Sequence, residues 1–165
     1  MTKFLLLAMT LILSLYAQEF PSFDQYRVTQ VFSGKPAPPV LKTPQDRMFR
    51  TMIREGAKDG PNFAGHYTIA QWGCGAGCVS MALIDAADGK IYRGPFQVLS
   101  WELAKYEGRY PSNGDSFEPL SFKTGSRLLI VRGCPEEKNC ASYFYEWTGT
   151  QFRLLSKVAA AAMPK

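Results

Sequence analysis

From His66 onward apolar and polar residues alternate with a period of two, and this pattern limits the fold more than any other feature of the chain. Segments 66–72, 79–86, 90–93, 96–101, 120–122, 127–132, 142–147 and 151–158 read as β-strands. The continuously apolar stretch 128–131 reads as a central strand, covered on both faces. Asp88-Gly89 between two of these segments signals a tight hairpin, because both residues tolerate positive φ. Glycine-bearing turns at 123–126 and 148–150 separate others, so successive strands are expected to pair antiparallel as a meander. Segment 105–116 is the longest loop expected.

Only one stretch carries a clear helical signal. Thr43 is placed as N-cap, Pro44 at N1, and Asp46 completes a Thr-x-x-Asp capping signature. Met48, Phe49, Met52 and Ile53 follow on one face, and Gly56 is expected to end the helix in a left-handed C-cap. Arg47, Arg50 and Arg54 form a stripe on another face, which reads as a solvated surface or as a contact for an acidic partner. The expected fold is therefore α+β. One short N-terminal helix packs with a twisted antiparallel meander of about six to eight strands, stapled by disulfides. Residues 43–158 form this single domain, 18–42 are an extended, proline-bearing lead-in with at most one strand at 26–32, and 159–165 are a frayed tail.

The N-terminus predicts export. Lys3 supplies a positive start, residues 4–13 are apolar except for Thr10, and Ala17 ends a segment followed by the polar Gln18-Glu19. Residues 1–17 thus read as a cleavable signal peptide, too short to cross a bilayer as an anchor. About 150 residues remain, the usual size of one domain. The chain is 46% hydrophobic and 13% aromatic, which argues against disorder. Lys3 is the only charge removed, so +4 of the net +5 stays. That balance suits solubility, anionic glycans or an acidic partner. It does not suit nucleic acid, since no basic run is longer than a pair.

The four cysteines lie as two close pairs, Cys74/Cys78 and Cys134/Cys140, and an even number in an exported chain reads as disulfides. Glycines and Pro135 permit a turn within each pair, which favours 74–78 and 134–140 over the cross-pairings. A zinc site would favour tighter pairs, and a thioredoxin-like site needs C-x-x-C at a helix N-terminus. No metal and no cofactor is expected.

The unusual chemistry is concentrated in two neighbouring stretches. One is Asn62-Phe63-Ala64-Gly65-His66-Tyr67; the other is Trp72-Gly73-Cys74-Gly75-Ala76-Gly77-Cys78. The second could form a nest of backbone N–H groups for an anion, or could need glycine only to close a short disulfide loop. Together with Ala82-Leu83-Ile84-Asp85 and Asp88-Gly89-Lys90-Ile91-Tyr92, these stretches resemble an uncharacterised family of small exported bacterial proteins. The resemblance implies location and domain limits but no activity. The Cys134/Cys140 pair looks like an elaboration of that motif.

Three functions compete. A periplasmic or secreted binding protein would present rigid loops and aromatic anchors to an envelope protein, as an inhibitor or immunity protein does, or to a glycan. Its candidate ligand residues are His66, Trp72, Gly73, Gly75, Gly77 and Trp101, with Tyr106, Tyr110 and Trp147 as further aromatic anchors. A hydrolase would have to use His66, the one histidine, with Cys74, Ser80 or Ser100 as nucleophile and Asp85 or Asp88 orienting the ring. A glycosidase-type mechanism would draw on two of Asp85, Asp115, Glu118 and Glu146. A structural envelope module would offer a free sheet edge to another chain. The non-enzymatic binder is the reading preferred here; oligomeric state is left open by the sequence.

Overall fold

The computed structural model describes residues 20–101 and 118–158. The signal segment, the 105–116 loop and the C-terminal tail expected from the sequence lie outside the described residues. Among the described residues the architecture is α+β and mostly β: two short helices beside an eight-stranded antiparallel sheet that does not close. No helix among the described residues is long and apolar enough to cross a membrane.

The helices are α1 (Pro44–Met48) and α2 (Arg50–Lys58). One continuous helix was expected; Phe49, with φ −98° and ψ 19°, breaks it in two. The expected cap is present in full. The Asp46 amide donates to Thr43 Oγ1 (3.1 Å), and Asp46 Oδ2 accepts from the Thr43 amide (2.7 Å). Gly56 does not end the helix, which runs on to Lys58; the left-handed residue is Gly60, with φ 75°. Gly56 serves close approach instead, since a Cβ there would stand 2.5 Å from the Ala70 methyl.

The strands are β1 (Tyr67–Gly75), β2 (Cys78–Asp85), β3 (Ile91–Arg93), β4 (Leu99–Ser100), β5 (Leu120–Ser121), β6 (Leu128–Pro135), β7 (Ala141–Trp147) and β8 (Phe152–Val158). Their order is β1-β2-β4-β6-β7-β8, with β3 on β2 and β5 on β6. The two-residue β4 is the seam of the sheet. Cys78 and Val79 of β2 pair with it on one side, and Cys134 and Pro135 of β6 on the other. The expected strand at 26–32 is absent; only an isolated bridge joins Arg27 to Ser126.

Strand alternation sorts side chains into three layers. Ile69, Val79, Met81, Leu83, Leu129 and Val131 enter the main core together with Phe63 and Trp147. On the opposite face of β1 and β2, Ala70, Ala82 and Ile84 pack under Ile53 and Ala57 of α2. On the outer face of β6 and β7, Leu128, Ile130 and Phe144 are covered by Phe20, Phe23 and Tyr26 of the lead-in. The lead-in then runs across the sheet turns as a strap: the amides of Val28, Phe32, Ala37 and Val40 donate to the carbonyls of Gly125, Gly65, Ala86 and Gly89. The strap explains Gly89, where a Cβ would fall 2.0 Å from the Pro38 oxygen. Asp88-Gly89 does lie in a β2–β3 hairpin, but the connection is longer than two residues, because Ile84 pairs with Ile91 and only Gly89 takes positive φ.

Both disulfides join cysteines of the same pair, Cys74–Cys78 and Cys134–Cys140. Each sits at a hairpin end, β1–β2 and β6–β7. Two formed disulfides fit an oxidising compartment.

Candidate functional site

A cleft of about 810 Å³ opens between the helices, the Trp72 end of β1 and β2, and the segment linking β3 to β4. Phe49 and Ile53 form its helical wall, and Trp72 and Cys74 its strand wall. Phe96, Gln97 and Val98 close a third side, with Glu136 of the β6–β7 loop beside them. Phe49 and Trp72 rings meet at 5.1 Å between centroids. Polar side chains share the lining with the aromatic walls: Gln45, Ser80, Arg93, Gln97 and Glu136, of which Ser80 is buried opposite Trp72. Apolar walls with converging polar groups are what a ligand cleft offers.

Each wall is held from outside. Arg93 Nη2 donates to Asp46 Oδ1 (2.7 Å) and to Thr43 Oγ1 (2.5 Å), fastening β3 to the helix cap. Burial pushes the Asp46 carboxyl up. The Thr43 amide and hydroxyl, the Arg93 guanidinium and the Lys42 amide together outweigh it and hold the group below the usual carboxylate range. Glu136 Oε1 accepts from the Gln97 amide (2.7 Å), joining the β6–β7 loop to the cleft wall. The Met residues of the helices are not the core face expected for them. Met48 is 72% exposed and Met52 44%, because the break at Phe49 turns this side of the pair outward.

The predicted site residues separate. Trp72 lines the cleft, with its indole N–H out of contact with solvent and without an acceptor among the described residues. Gly73, Gly75 and Gly77 lie beside the cleft, at the hairpin tip. Gly75 pairs with Cys78, and Gly77 turns the chain at φ 63°. The Gly77 carbonyl accepts from the Trp101 amide, and Trp101 packs against the main core instead of the cleft.

His66 is remote from all of these. Its Nε2 lies 3.5 Å from Asp85 Oδ2, its ring packs against Tyr67 at 4.1 Å between centroids and a 42° tilt, and burial raises the Tyr67 phenol above its ordinary pKa. Ser80 stands opposite Trp72, six positions along from His66, about 20 Å at 3.3 Å per residue. Ser100 is farther still, paired with Cys78. Cys74 is in its disulfide. None of the three proposed nucleophiles meets the histidine. Of the candidate acids, Glu146 is buried between Arg127 (2.8 Å) and Arg153, Asp85 accepts from the Ala87 amide, and Asp115 lies outside the described residues. Among the described residues no group of three or more His, Cys, Asp or Glu side chains is placed to hold a metal.

Sequence reasoning missed Phe49, Arg93, Phe96, Gln97 and Glu136 as cleft residues. The signal available was local: Gly94-Pro95 interrupts the strand pattern just where the wall segment leaves the sheet. In comparison with known proteins, no family model, no curated protein and no solved structure matches this chain.

Proposed function

We propose that this chain is an exported, non-enzymatic binding protein whose cleft takes an apolar loop of an envelope protein, in the manner of an inhibitor or immunity protein. The single observation that carries the reading is the 810 Å³ cleft with its Phe49–Trp72 wall. Aromatic pockets with a polar margin are where binding energy concentrates in protein interfaces. Met48, exposed at the helical wall, adds flexible apolar surface that adapts to a partner side chain. Rigid surroundings favour binding, since a wall fixed by a disulfide and by the Arg93–Asp46 pair loses little freedom when occupied. Export is supported by the N-terminal apolar segment and by the two disulfides, and the resemblance to small exported bacterial proteins points to the periplasm or the medium.

The test is retention of envelope proteins by the immobilised, oxidised chain, compared with the Gln97→Trp variant, which fills the cleft from an outer wall without removing core packing. A defined partner that binds the wild type and loses about tenfold or more in affinity to the variant is the expected result. Equal retention by both, or retention of a glycan alone, contradicts the reading.

A further inference from the structure

A second concavity lies on the other flank of α2. The extended 36–39 segment and Ala57 form its floor, and Lys35, Arg54 and Lys58 stand around it, enclosing about 520 Å³. Proline rings and an alanine methyl offer no hydrogen-bond donors, so the polar chemistry of this groove is that of its three cations. Lys58 is engaged by Glu55 at 2.8 Å. Among the described residues, neither Lys35 nor Arg54 has an acidic side chain in ion-pair range.

The chain segment that supplies this groove is rich in cations. Residues 35–58 carry six cations, Lys35, Lys42, Arg47, Arg50, Arg54 and Lys58, against two acids, Asp46 and Glu55. Asp46 is already committed to the helix cap and to Arg93. This segment carries a net +4, although Lys42, Arg47 and Arg50 lie outside the groove lining and Asp59 follows directly. Like charges at helical neighbour spacing repel. A surface of one sign beside a low-dielectric floor focuses field toward an oppositely charged ligand. A flat bilayer cannot enter a concavity, whereas an extended chain can lie in it.

We propose that this groove binds an extended acidic segment of a protein, its carboxylates on Lys35 and Arg54 and an apolar side chain on the proline floor. The proposal gives the chemistry of a partner and rests on the preceding reading only in taking that partner to be a protein.

The probe is a fluorescein-labelled peptide in which glutamates alternate with leucine and alanine, followed by anisotropy on the full oxidised chain. Binding is expected, weakening as salt rises from about 50 to 300 mM, as for exposed charge pairs. Lys35→Glu/Arg54→Glu is expected to weaken it at least about tenfold, and the milder Lys35→Gln/Arg54→Gln about threefold. Both replace exposed side chains, and an unchanged thermal transition verifies the fold. Gln97→Trp, which blocks the cleft, leaves peptide binding unchanged, so failure of the cleft reading and failure of this one are distinguishable. Equal affinity for the glutamine analogue of the peptide overturns the proposal. So does indifference to charge reversal, or binding to phosphatidylglycerol vesicles with no binding of peptide.

Discussion

The two disulfide loops use the same covalent device in opposite surroundings. Cys134 is fully buried, and its neighbour Gly133 is crowded: a Cβ there would stand 2.7 Å from the Ser100 oxygen and 3.0 Å from Leu99. That loop locks the seam where β4 joins the two halves of the sheet. Cys74 is exposed, lines the cleft, and is flanked by Gly73 and Gly75, where an added Cβ would meet no other group within 4 Å. The first loop is anchored in the core through Cys134, while its exposed tip carries Glu136 to the cleft wall. The second is a covalently closed rim with open space around it. Two cysteine pairs of similar spacing thus stand in surroundings that their spacing does not foretell.

The largest expected effect comes from removing each clamp in turn. Either short loop contributes roughly 2 kcal/mol by chain entropy. Cys134→Ala/Cys140→Ala also leaves space in the core, so it should cost about 3–4 kcal/mol in chemical denaturation. Cys74→Ala/Cys78→Ala should cost no more than about 2 kcal/mol, with a marked loss of partner binding. Equal destabilisation by both would break the contrast.

Next in size are the glycines. Gly133→Ala forces a Cβ onto the Ser100 carbonyl at φ 148° and should destabilise by about 2–3 kcal/mol. Gly73→Ala, with open space around it, should change stability by less than about 0.5 kcal/mol in the same measurement.

A smaller effect sharpens the comparison at the wall opposite the disulfide rim, which is held by charge. The Asp46 carboxyl has a lowered pKa in the folded chain, so its contribution is present above the unfolded value of 3.8 and is lost as pH falls through the folded one. Asp46→Asn should cost about 1–2 kcal/mol at neutral pH, and the gap to wild type should narrow in acid denaturation below about pH 4. A gap that widens on acidification would contradict the sign.

Much of the fold was legible in the sequence because strand alternation is local. Leu129 and Val131 point one way and Leu128 and Ile130 the other, as their parity demands. Thr43, Pro44 and Asp46 announced the helix start for the same reason, since a cap is made within four residues. The helix end was misread at Gly56 because its reason is tertiary: Ala70 occupies the space a side chain would need. The strap from residue 20 to 42 has no periodicity, so its pairing with the turns at Gly65, Ala86, Gly89 and Gly125 could not be read in advance. Of the cleft, only Trp72 was anticipated as a ligand residue. Its other walls come from residues 45 to 136, and the two-residue β4 that draws them together is too short to leave a pattern.

Site-specific photo-crosslinking tests the central claim most directly, that the cleft at the exposed disulfide loop is where a partner docks. A benzophenone side chain placed at Met48, exposed at the mouth of the cleft, is compared in the exporting cell with one at Leu154, an exposed apolar residue on β8 outside the cleft. A discrete protein adduct from position 48, lost when Trp72→Ala is added to the same chain and missing from position 154, is the predicted result. Adducts of equal yield from both positions, or an adduct at 48 that survives Trp72→Ala, would contradict it.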